Sequence, residues 1–281
     1  MREEIQHIPV ALAALVAICV AGLGGTAQGA GEGSYQSAKL VFDQTKPDKP
    51  SGTVVDIDYQ NPADPQAQPP AVRRVVEEFA PGARLDTSVP GKCTASDGDL
   101  MLLGEQACPP GSKVGTGEVT VDTGVPGPAR FVAAHVDFFN NVDQLIYLNT
   151  VQGTGARTVI RAQVAGRRVT TDVTTLPGVP PDGGAIDTVH ATFPAFTTAE
   201  RGYLTTPPDC PSSGKWTNSI IFTYANGVTQ TTDNSSPCEP TGAKHRKKCR
   251  HRKHHHQNLK RHHKRKCSHR GKHHHKGGGA K

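Results

Sequence analysis

Aromatic residues are scarce in this sequence: Phe, Trp and Tyr make up 5% of the 281 residues, 14 side chains in all. A sugar-binding face built from stacked aromatic rings needs more of them, so the composition gives such a face no support. Gly and Pro are abundant instead, with 30 and 22 residues. Both are unfavourable inside helices and favoured in turns, so the composition disfavours a helix-rich enzyme and predicts an all-β, loop-rich domain.

Several catalytic signatures are missing as well. No G-x-S-x-G motif occurs, and between the two ends of the chain the only histidines are His135 and His190, so a Ser-His-Asp hydrolase would have to use one of them. Both fall in predicted strands, which favours structural or surface histidines. Residues Gly115–Gly117 lack the features of a phosphate-binding loop and predict a turn before a strand. Asp97 and Asp99 lie in a segment with too few oxygen ligands for a calcium loop.

Acidic residues are missing from the end of the chain. All 25 Asp and Glu residues lie at or before Glu239, whereas the tail, residues 242–281, carries 16 Lys or Arg and no carboxylate. The net charge of +7 therefore divides into +16 on the tail and −9 on the rest. Eleven of the 14 histidines also lie in the tail, and Leu259 is almost its only apolar residue. Such a segment cannot bury enough apolar surface to offset its ordering entropy, so we predict a disordered tail.

A chain of this charge attracts polyanions by counterion release. If the protein is exported, the expected partners are anionic polymers of the cell envelope or the extracellular matrix, with no specific nucleic acid among them; protein partners do not follow from the sequence. A solubilising appendage without a specific partner is the alternative. The candidate polyanion-binding residues are Lys244, Arg246, Lys247, Lys248, Arg250, Arg252, Lys253, Lys260, Arg261, Lys264, Arg265 and Lys266.

Imidazole groups give the tail a second candidate role, because they are good ligands for Zn, Cu and Ni. Cys249 and Cys267 would add thiolates if reduced, or could form a disulfide. Neighbouring Lys and Arg charges oppose a divalent cation, and the spacing defines no closed zinc site. The candidate metal ligands are His254, His255, His256, His262, His263, His273, His274 and His275.

The start of the chain contains a 16-residue apolar run, Ile8–Leu23, followed by the small residues of Gly24–Ala30. The run is short for a membrane span of about 20 residues and is typical of a secretory signal peptide. We therefore predict a signal peptide over residues 1–30 and a secreted or cell-surface protein. A retained N-terminal anchor stays open, because Glu3 and Glu4 weaken the positive charge expected before the run.

Four cysteines, Cys93, Cys108, Cys210 and Cys238, lie between the leader and the tail. An even number in an exported region is typical of a disulfide framework. Three pairings are possible, and we favour Cys93–Cys108 and Cys210–Cys238 because each pair brackets a local segment rich in turn residues. A four-cysteine zinc site would usually show C-x-x-C pairs, and there are none. Residues 31–241, the body, then form one disulfide-stapled domain of a length that a single β-sandwich can use.

Hydrophobic alternation predicts eleven short strands in the body, and hence a two-sheet antiparallel β-sandwich. Asn226-Gly227 predicts a hairpin turn, and Leu176–Gly184 predicts a surface loop. Ala71–Phe79 also fits helical spacing, but its β-branched content favours a strand. The predicted strands are Ser37–Asp43, Thr53–Tyr59, Ala71–Phe79, Glu118–Asp122, Ala129–Phe138, Gln144–Val151, Arg157–Val164, Arg168–Thr175, Ala185–Phe193, Lys215–Tyr224 and Val228–Thr232.

Two segments of the body are distinctive. Cys108–Gly117 reads CPPGSKVGTG, and Tyr203–Pro211 reads YLTTPPDCP and leads into Trp216 and Cys238. Together they resemble a group of uncharacterised secreted β-rich proteins of actinobacteria, with similar CPxGSxVGxG and TPxxCP…W…C segments, over about Ser37 to Cys238. The resemblance implies an exported domain with two local disulfides, and it carries over no catalytic residues.

These observations lead to three hypotheses. The first is an exported, non-enzymatic β-domain without a cofactor that associates with anionic polymers through its tail. The second is extracellular binding of transition metals by the tail. The third is a secreted hydrolase whose site lies on a loop such as Leu176–Gly184 and uses His135 or His190. Trp216 is expected to pack beside the disulfide of Cys210 in the core.

Overall fold

The computed structural model describes residues 33–240, apart from residues 182 and 200. They form an antiparallel all-β fold with a sandwich-like arrangement, which confirms the predicted fold class. The predicted signal peptide and tail lie outside the described residues. The strands are β1 (Gln36–Phe42), β2 (Thr53–Tyr59), β3 (Val72–Glu78), β4 (Arg84–Leu85), β5 (Lys113–Asp122), β6 (Phe131–Asn141), β7 (Gln144–Val151), β8 (Arg157–Ala165), β9 (Arg168–Asp172), β10 (Ala185–Phe193), β11 (Thr197–Thr198), β12 (Arg201–Gly202), β13 (Leu204–Thr205), β14 (Lys215–Tyr224) and β15 (Thr229–Pro237). The helical elements are α1 (Asp97–Leu103) and the 3₁₀ turns Gly104–Ala107, Pro110–Ser112 and Gly127–Ala129.

Eleven of these strands form one antiparallel sheet, in the order β1-β2-β10-β5-β6-β7-β8-β9-β3-β14-β15. The sequence predicts two separate sheets, whereas the structure has one continuous sheet that folds over the core. Tyr59 of β2 meets Phe222 of β14 edge to face, with ring centroids 5.8 Å apart, although seven strands separate β2 from β14 in the hydrogen-bonding order. The other four strands are two residues long and form two ribbons, β11 with β12 and β4 with β13.

The eleven predicted strands correspond to the eleven strands of this sheet. The ambiguous segment Ala71–Phe79 is a strand, and the hairpin between β14 and β15 turns at Gly227, whose φ is 84°. Hydrophobic alternation predicts these strands because most of them pack one apolar face in the core: in β2, for example, Val55, Ile57 and Tyr59 are buried. The prediction of these strands is therefore confirmed.

The predicted turn at Gly115–Gly117 is wrong, because these residues lie within β5. A Cβ atom on Gly115 would lie 2.6 Å from a ring carbon of Phe193, and one on Gly117 would lie 2.5 Å from the carbonyl oxygen of His190. Both glycines are therefore needed for the close approach of β10 rather than for a change of chain direction.

Both predicted disulfides are confirmed. The Cα atoms are 4.9 Å apart in Cys93–Cys108 and 5.6 Å apart in Cys210–Cys238. The first lies in a small apolar cluster with Leu100 of α1, and the second packs in the main core. The predicted burial of Trp216 in that core is also confirmed: its indole N–H donates to the carbonyl of Asp209 at 2.9 Å.

The short helix α1 was not expected from the sequence. It begins with a capping box in which the hydroxyl of Ser96 accepts from the backbone N–H of Asp99 and the carboxylate of Asp99 accepts from the N–H of Ser96. Asp97 accepts from Arg161 Nε at 2.8 Å. The two carboxylates considered for calcium therefore cap and anchor a helix. The sequence does contain a signal for this helix, because Ser-x-x-Asp followed by an apolar run is typical of a helix N-terminus.

The two edge strands, β1 and β15, lie side by side and are joined by side chains, an arrangement we call the seam. Gln230 Oε1 accepts from the backbone N–H of Tyr35 at 2.9 Å, and Ser236 Oγ accepts from the N–H of Phe42 at 3.0 Å. Within the described residues no backbone ladder pairs β1 with β15. Side-chain oxygens thus take the place that a neighbouring strand's carbonyls would have in a continued sheet.

The seam explains why β15 extends beyond its predicted end at Thr232. From Gln230 onward the residues that alternate toward the seam, including Ser236, are polar rather than apolar. Hydrophobic alternation cannot detect such a strand, because the strand is held by hydrogen bonds and not by apolar burial.

Asn218 of β14 ties the seam to the rest of the core. The residue is fully buried. Its Nδ2 donates to the carbonyl of Leu40 at 2.9 Å and to Ser236 Oγ at 3.0 Å, and its Oδ1 accepts from the N–H of Ala80 at 2.8 Å. One side-chain amide therefore joins β1, β15 and the segment that follows β3.

Replacing Asn218 with leucine keeps a similar volume but leaves the Leu40 carbonyl and the Ala80 N–H buried without a partner. We expect the free energy of unfolding to fall by about 3 kcal/mol, measured by urea denaturation with the disulfides intact. Asn149→Leu is the matched control, because the Asn149 amide makes only an exposed 3.5 Å contact with the Thr158 carbonyl; its effect should stay within about 0.5 kcal/mol. Equal effects of the two substitutions would contradict the role of Asn218.

Candidate functional site

The tail residues predicted to bind polyanions or metals, which fall between positions 244 and 275, lie outside the described residues. Both assignments therefore stay predictions. Within the described part of the chain, no three His, Cys, Asp or Glu side chains form a group that could hold a metal ion. The sites that can be built from geometry are two histidine–carboxylate pairs, a buried carboxyl group and a groove lined by arginines.

His135 and His190 lie on the outer face of the sheet, and Glu118 of β5 is opposite both of them. His190 Nδ1 contacts Asp56, and His135 Nε2 lies 3.1 Å from Asp137 Oδ1. The two imidazole side chains are 62% and 44% exposed. The prediction of surface histidines is therefore confirmed, although each one has a carboxylate partner.

The strand register places no serine opposite either histidine. The positions paired with His190 are Asp56 and Glu118, and those paired with His135 are Glu118 and Thr150. Each pair joins an imidazole to a carboxylate, but the paired positions supply no seryl hydroxyl for a Ser-His-Asp arrangement.

The loop Leu176–Gly184 lies on the surface, as predicted, and borders a pocket of about 390 Å³. Its Val179 faces Arg130 and Asp122 across this pocket. Asp122 is buried and accepts from Arg130 Nε at 3.0 Å. The described residues that line the pocket include neither His135 nor His190, so this part of the loop does not border either histidine.

Glu77 of β3 points into the core, because its register partners Ile220 and Val169 are both buried. It lines a cavity of about 20 Å³ together with Tyr203 and Phe193. Such a volume has room for about one water molecule. Among the described residues, no cation or hydrogen-bond donor compensates the carboxyl group.

Burial raises the pKa of Glu77 from 4.5 to about 7, because desolvation penalises the charged form. Burial also raises the pKa values of Tyr59, Tyr147 and Tyr203, and the charge of Glu77 adds to each shift. Glu77 keeps some accessible surface because it lines the cavity, but the groups around it belong to the core. The fold therefore favours a neutral carboxylic acid at this position.

A groove of about 690 Å³ lies beside the β4–β13 ribbon. It is lined by Arg84 of β4, Arg167 from the turn between β8 and β9, and Arg201 of β12, together with Asp48 and Asp86. Pockets of roughly 300–1,000 Å³ with a few convergent polar groups are typical of small-molecule sites. This arginine groove is the candidate functional site of the body.

Carboxylates hold the arginines of the groove in place. Arg84 Nη2 donates to Asp48 Oδ1 at 2.8 Å. Arg201 Nη2 donates to the carboxylate of Asp86 and to Ser88 Oγ, the latter at 2.6 Å. Hydrogen bonds from Ser88 and then from Arg201 lower the pKa of Asp86, so its negative charge is stabilised.

Arg167 is anchored differently, because it donates to the carboxylate of Glu78 and to the backbone carbonyl of Phe79. Glu78 also accepts from Arg168 at 3.1 Å. Sequence reasoning did not find the arginine groove, because its arginines come from three segments that no local motif connects. The inward position of Glu77 could be predicted from the sequence, because Glu77 alternates along its strand with apolar residues that face the core.

Comparison with protein-family models, with curated proteins and with solved structures finds no match to this chain. The resemblance to secreted actinobacterial proteins therefore stays a prediction. In the part of the chain that the structure describes, no helix is long and apolar enough to cross a membrane.

The raised pKa of Glu77 predicts a pH-dependent stability. Since the unfolded carboxyl group ionises first, Glu77 leaves stability unchanged below about pH 4.5 and lowers it as the pH rises to about 7. We expect Glu77→Gln to raise the free energy of unfolding by about 2 kcal/mol at about pH 8 and to change it little at about pH 4, as measured by urea denaturation.

The neighbouring substitution Glu78→Gln is the control for this experiment. It removes a carboxylate that is paired with Arg167 and Arg168, so it should give no stabilisation at either pH. A Glu77→Gln variant with the same stability change at both pH values would contradict the assignment.

Proposed function

We propose that this chain is an exported, non-enzymatic β-domain protein that associates with anionic polymers of the cell envelope or matrix through its tail. The disulfide-stapled body is the presented module, and the cationic tail, residues 242–281, is the attachment. The observation that carries the proposal is a difference between the two parts of the chain. Most lysine and arginine side chains of the body pair with carboxylates, whereas the tail contains no Asp or Glu with which its lysines and arginines could pair.

In the body, nine of the 15 lysine and arginine side chains pair with carboxylates. Arg157 instead donates to the backbone carbonyls of Met101 and Leu102 at the end of α1. A surface whose cations are paired in this way offers few free charges to a polyanion. Nine cationic side chains of the body lie within 4.0 Å of a carboxylate oxygen: Lys39, Arg74, Arg84, Lys113, Arg130, Arg161, Arg167, Arg168 and Arg201.

The tail has the opposite character, since its 16 Lys and Arg residues have no Asp or Glu within the same 40 residues. Its cations can therefore release counterions from a polymer without first breaking ion pairs inside the segment. Export is supported by the two disulfides, which form and persist in oxidising compartments.

Ending the chain at Thr241 is expected to abolish its retention on immobilised polyphosphate or heparin. The full-length chain should be retained, with an affinity that falls roughly 10³-fold or more between about 50 and 200 mM salt if six or more tail cations contact the polymer. Chromatography across a salt series measures both effects.

The control is a full-length chain in which the 16 Lys and Arg residues of the tail are replaced by Gln. It keeps the length and the histidines of the tail, and it should elute with the truncated chain. Retention that is the same for all three chains, or that does not depend on salt, would overturn the proposal.

Binding of transition metals by the clusters at positions 254–256, 262–263 and 273–275 is the second candidate function. The feature that favours it is the grouping of eight imidazoles in three short runs. We expect calorimetry with Zn²⁺ and Cu²⁺ to show only weak sites, because the neighbouring cations repel a divalent ion. Submicromolar sites that compete with a chelator, and that disappear with the tail, would instead favour the metal-binding role.

A further inference from the structure

The arginine groove carries an inference about what the body recognises. In each of Arg84 and Arg201, one terminal nitrogen makes the hydrogen bonds to protein acceptors. Within the described residues, their other guanidinium N–H groups have no acceptor in the protein. The side chains are 59% and 62% exposed, so these donors are available at the groove.

The anchoring carboxylates preorganise the guanidinium groups. Arg84 and Arg201 each face an acidic partner on the rim. The N–H and the hydroxyl of Ser88 donate to Asp86 and hold its carboxylate, and hence Arg201, in place. A guanidinium held in one orientation loses less conformational entropy when it binds an anion. Planar bidentate recognition of carboxylate or phosphate groups is what this side chain does best.

The local charge also favours an anionic ligand. The lining of the groove contains three arginines, Arg84, Arg167 and Arg201, and two carboxylates, Asp48 and Asp86. Three positive charges against two negative ones leave one positive charge in excess, in a region of the chain whose net charge is negative. This excess favours a ligand unit that carries negative charge.

The remaining lining suits a polyol rather than an aromatic ligand. The carboxylates of Asp48 and Asp86, on the rim of the groove, can accept hydrogen bonds from hydroxyl groups, and Thr205 supplies a further polar group. Pro50 and Leu85 form an apolar wall that can cover the C–H face of a sugar ring. The lining includes no aromatic ring, so recognition would rest on charge and hydrogen bonds and not on stacking.

We propose that the arginine groove binds one anionic sugar unit, a ring that bears a carboxylate or a phosphate, of the polymer that the tail holds. The proposal rests on the proposed function for the identity of the polymer. The tail then supplies attachment without selectivity, and the groove selects among anionic polymers by reading one residue of the saccharide.

The test is a calorimetric titration of the full-length chain with three probes: tri-galacturonate, maltotriose phosphate and neutral maltotriose. We expect at least one anionic probe to bind at least tenfold more tightly than the neutral one, and the better anionic probe identifies the charged group. Arg201→Gln should weaken that binding by at least tenfold, and Arg201→Lys, which keeps the charge but loses the planar donor geometry, should weaken it less.

The matched control is Arg74→Gln, which removes an exposed arginine that pairs with Asp172 outside the groove and should leave binding unchanged. The tail is identical in all these chains, so its contribution cancels between wild-type and variant chains titrated with the same probe. The preference for anionic over neutral probes is therefore also measured on the chain ending at Thr241, which lacks the tail. If Arg201→Gln fails to fold, Arg84→Gln tests the same groove from another strand. Equal affinity for neutral and anionic probes, or equal affinity of the wild-type and Arg201 variants, would overturn the proposal.

The two proposals can fail independently. If the chain ending at Thr241 still shows the Arg201-dependent titration but the full-length chain is not retained on polymer, the groove assignment stands and the tail assignment falls. If the full-length chain is retained on polymer through its tail but the titration does not depend on Arg201, the tail assignment stands and the groove assignment falls. The described hydrogen bonds and both disulfides lie within residues 33–240, so the truncated chain keeps them.

Discussion

The two edges of the eleven-stranded sheet meet at a seam held by side-chain amides and hydroxyls, and the closed core depends on it. An open edge strand presents unpaired N–H and C=O groups that invite pairing with another chain. Here Asn218, Ser236 and Gln230 satisfy such groups along β1. Because Asn218 also accepts from Ala80, the same residue fixes how the segment after β3 meets the edge. Buried polar groups of this kind stabilise only when every member of the network is satisfied.

Closure of the sheet has consequences for the surface. The apolar side chains pack in the closed core and two disulfides fix local loops, so the outer surface can carry charged side chains. Most lysine and arginine side chains there pair with carboxylates. Two features stand apart from this surface pattern. The carboxyl group of Glu77 lies inside without a compensating partner among the described residues, and the paired Arg84 and Arg201 keep further N–H donors exposed at the groove. Under the proposed function, the groove of the net-negative body would recognise the polymer and the cationic tail would attach to it.

The sequence predicted those parts of the fold that depend on apolar alternation and on local cysteine spacing. The eleven sheet strands, the β14–β15 hairpin and both disulfides belong to this group, because each is decided by neighbours in the chain. The end of β15 escaped prediction, since its inward residues are polar and bond across the seam. The sequence predicts a turn at Gly115–Gly117, because sequence alone cannot show that Phe193 and β10 approach these glycines.

The candidate site was less predictable than the fold for a physical reason. Arg84, Arg167 and Arg201 are far apart in the chain, and each is an ordinary surface residue in its own segment. The strand order that brings them together depends on the insertion of β3 between β9 and β14 and on the short ribbons, and no periodicity encodes either. The helix α1 is a different case, because its Ser96–Asp99 capping box was visible in the sequence.

Residue-resolved amide hydrogen exchange in the full-length chain tests the closure of the sheet most directly. If the seam is as satisfied as its geometry indicates, the amides of Phe42 and Ala80, whose acceptors are side chains, exchange only through global unfolding. Their protection then corresponds to the full free energy of unfolding. Exchange of these two amides at the fast rate of a fraying edge strand, while the centre of the sheet stays protected, would contradict the account.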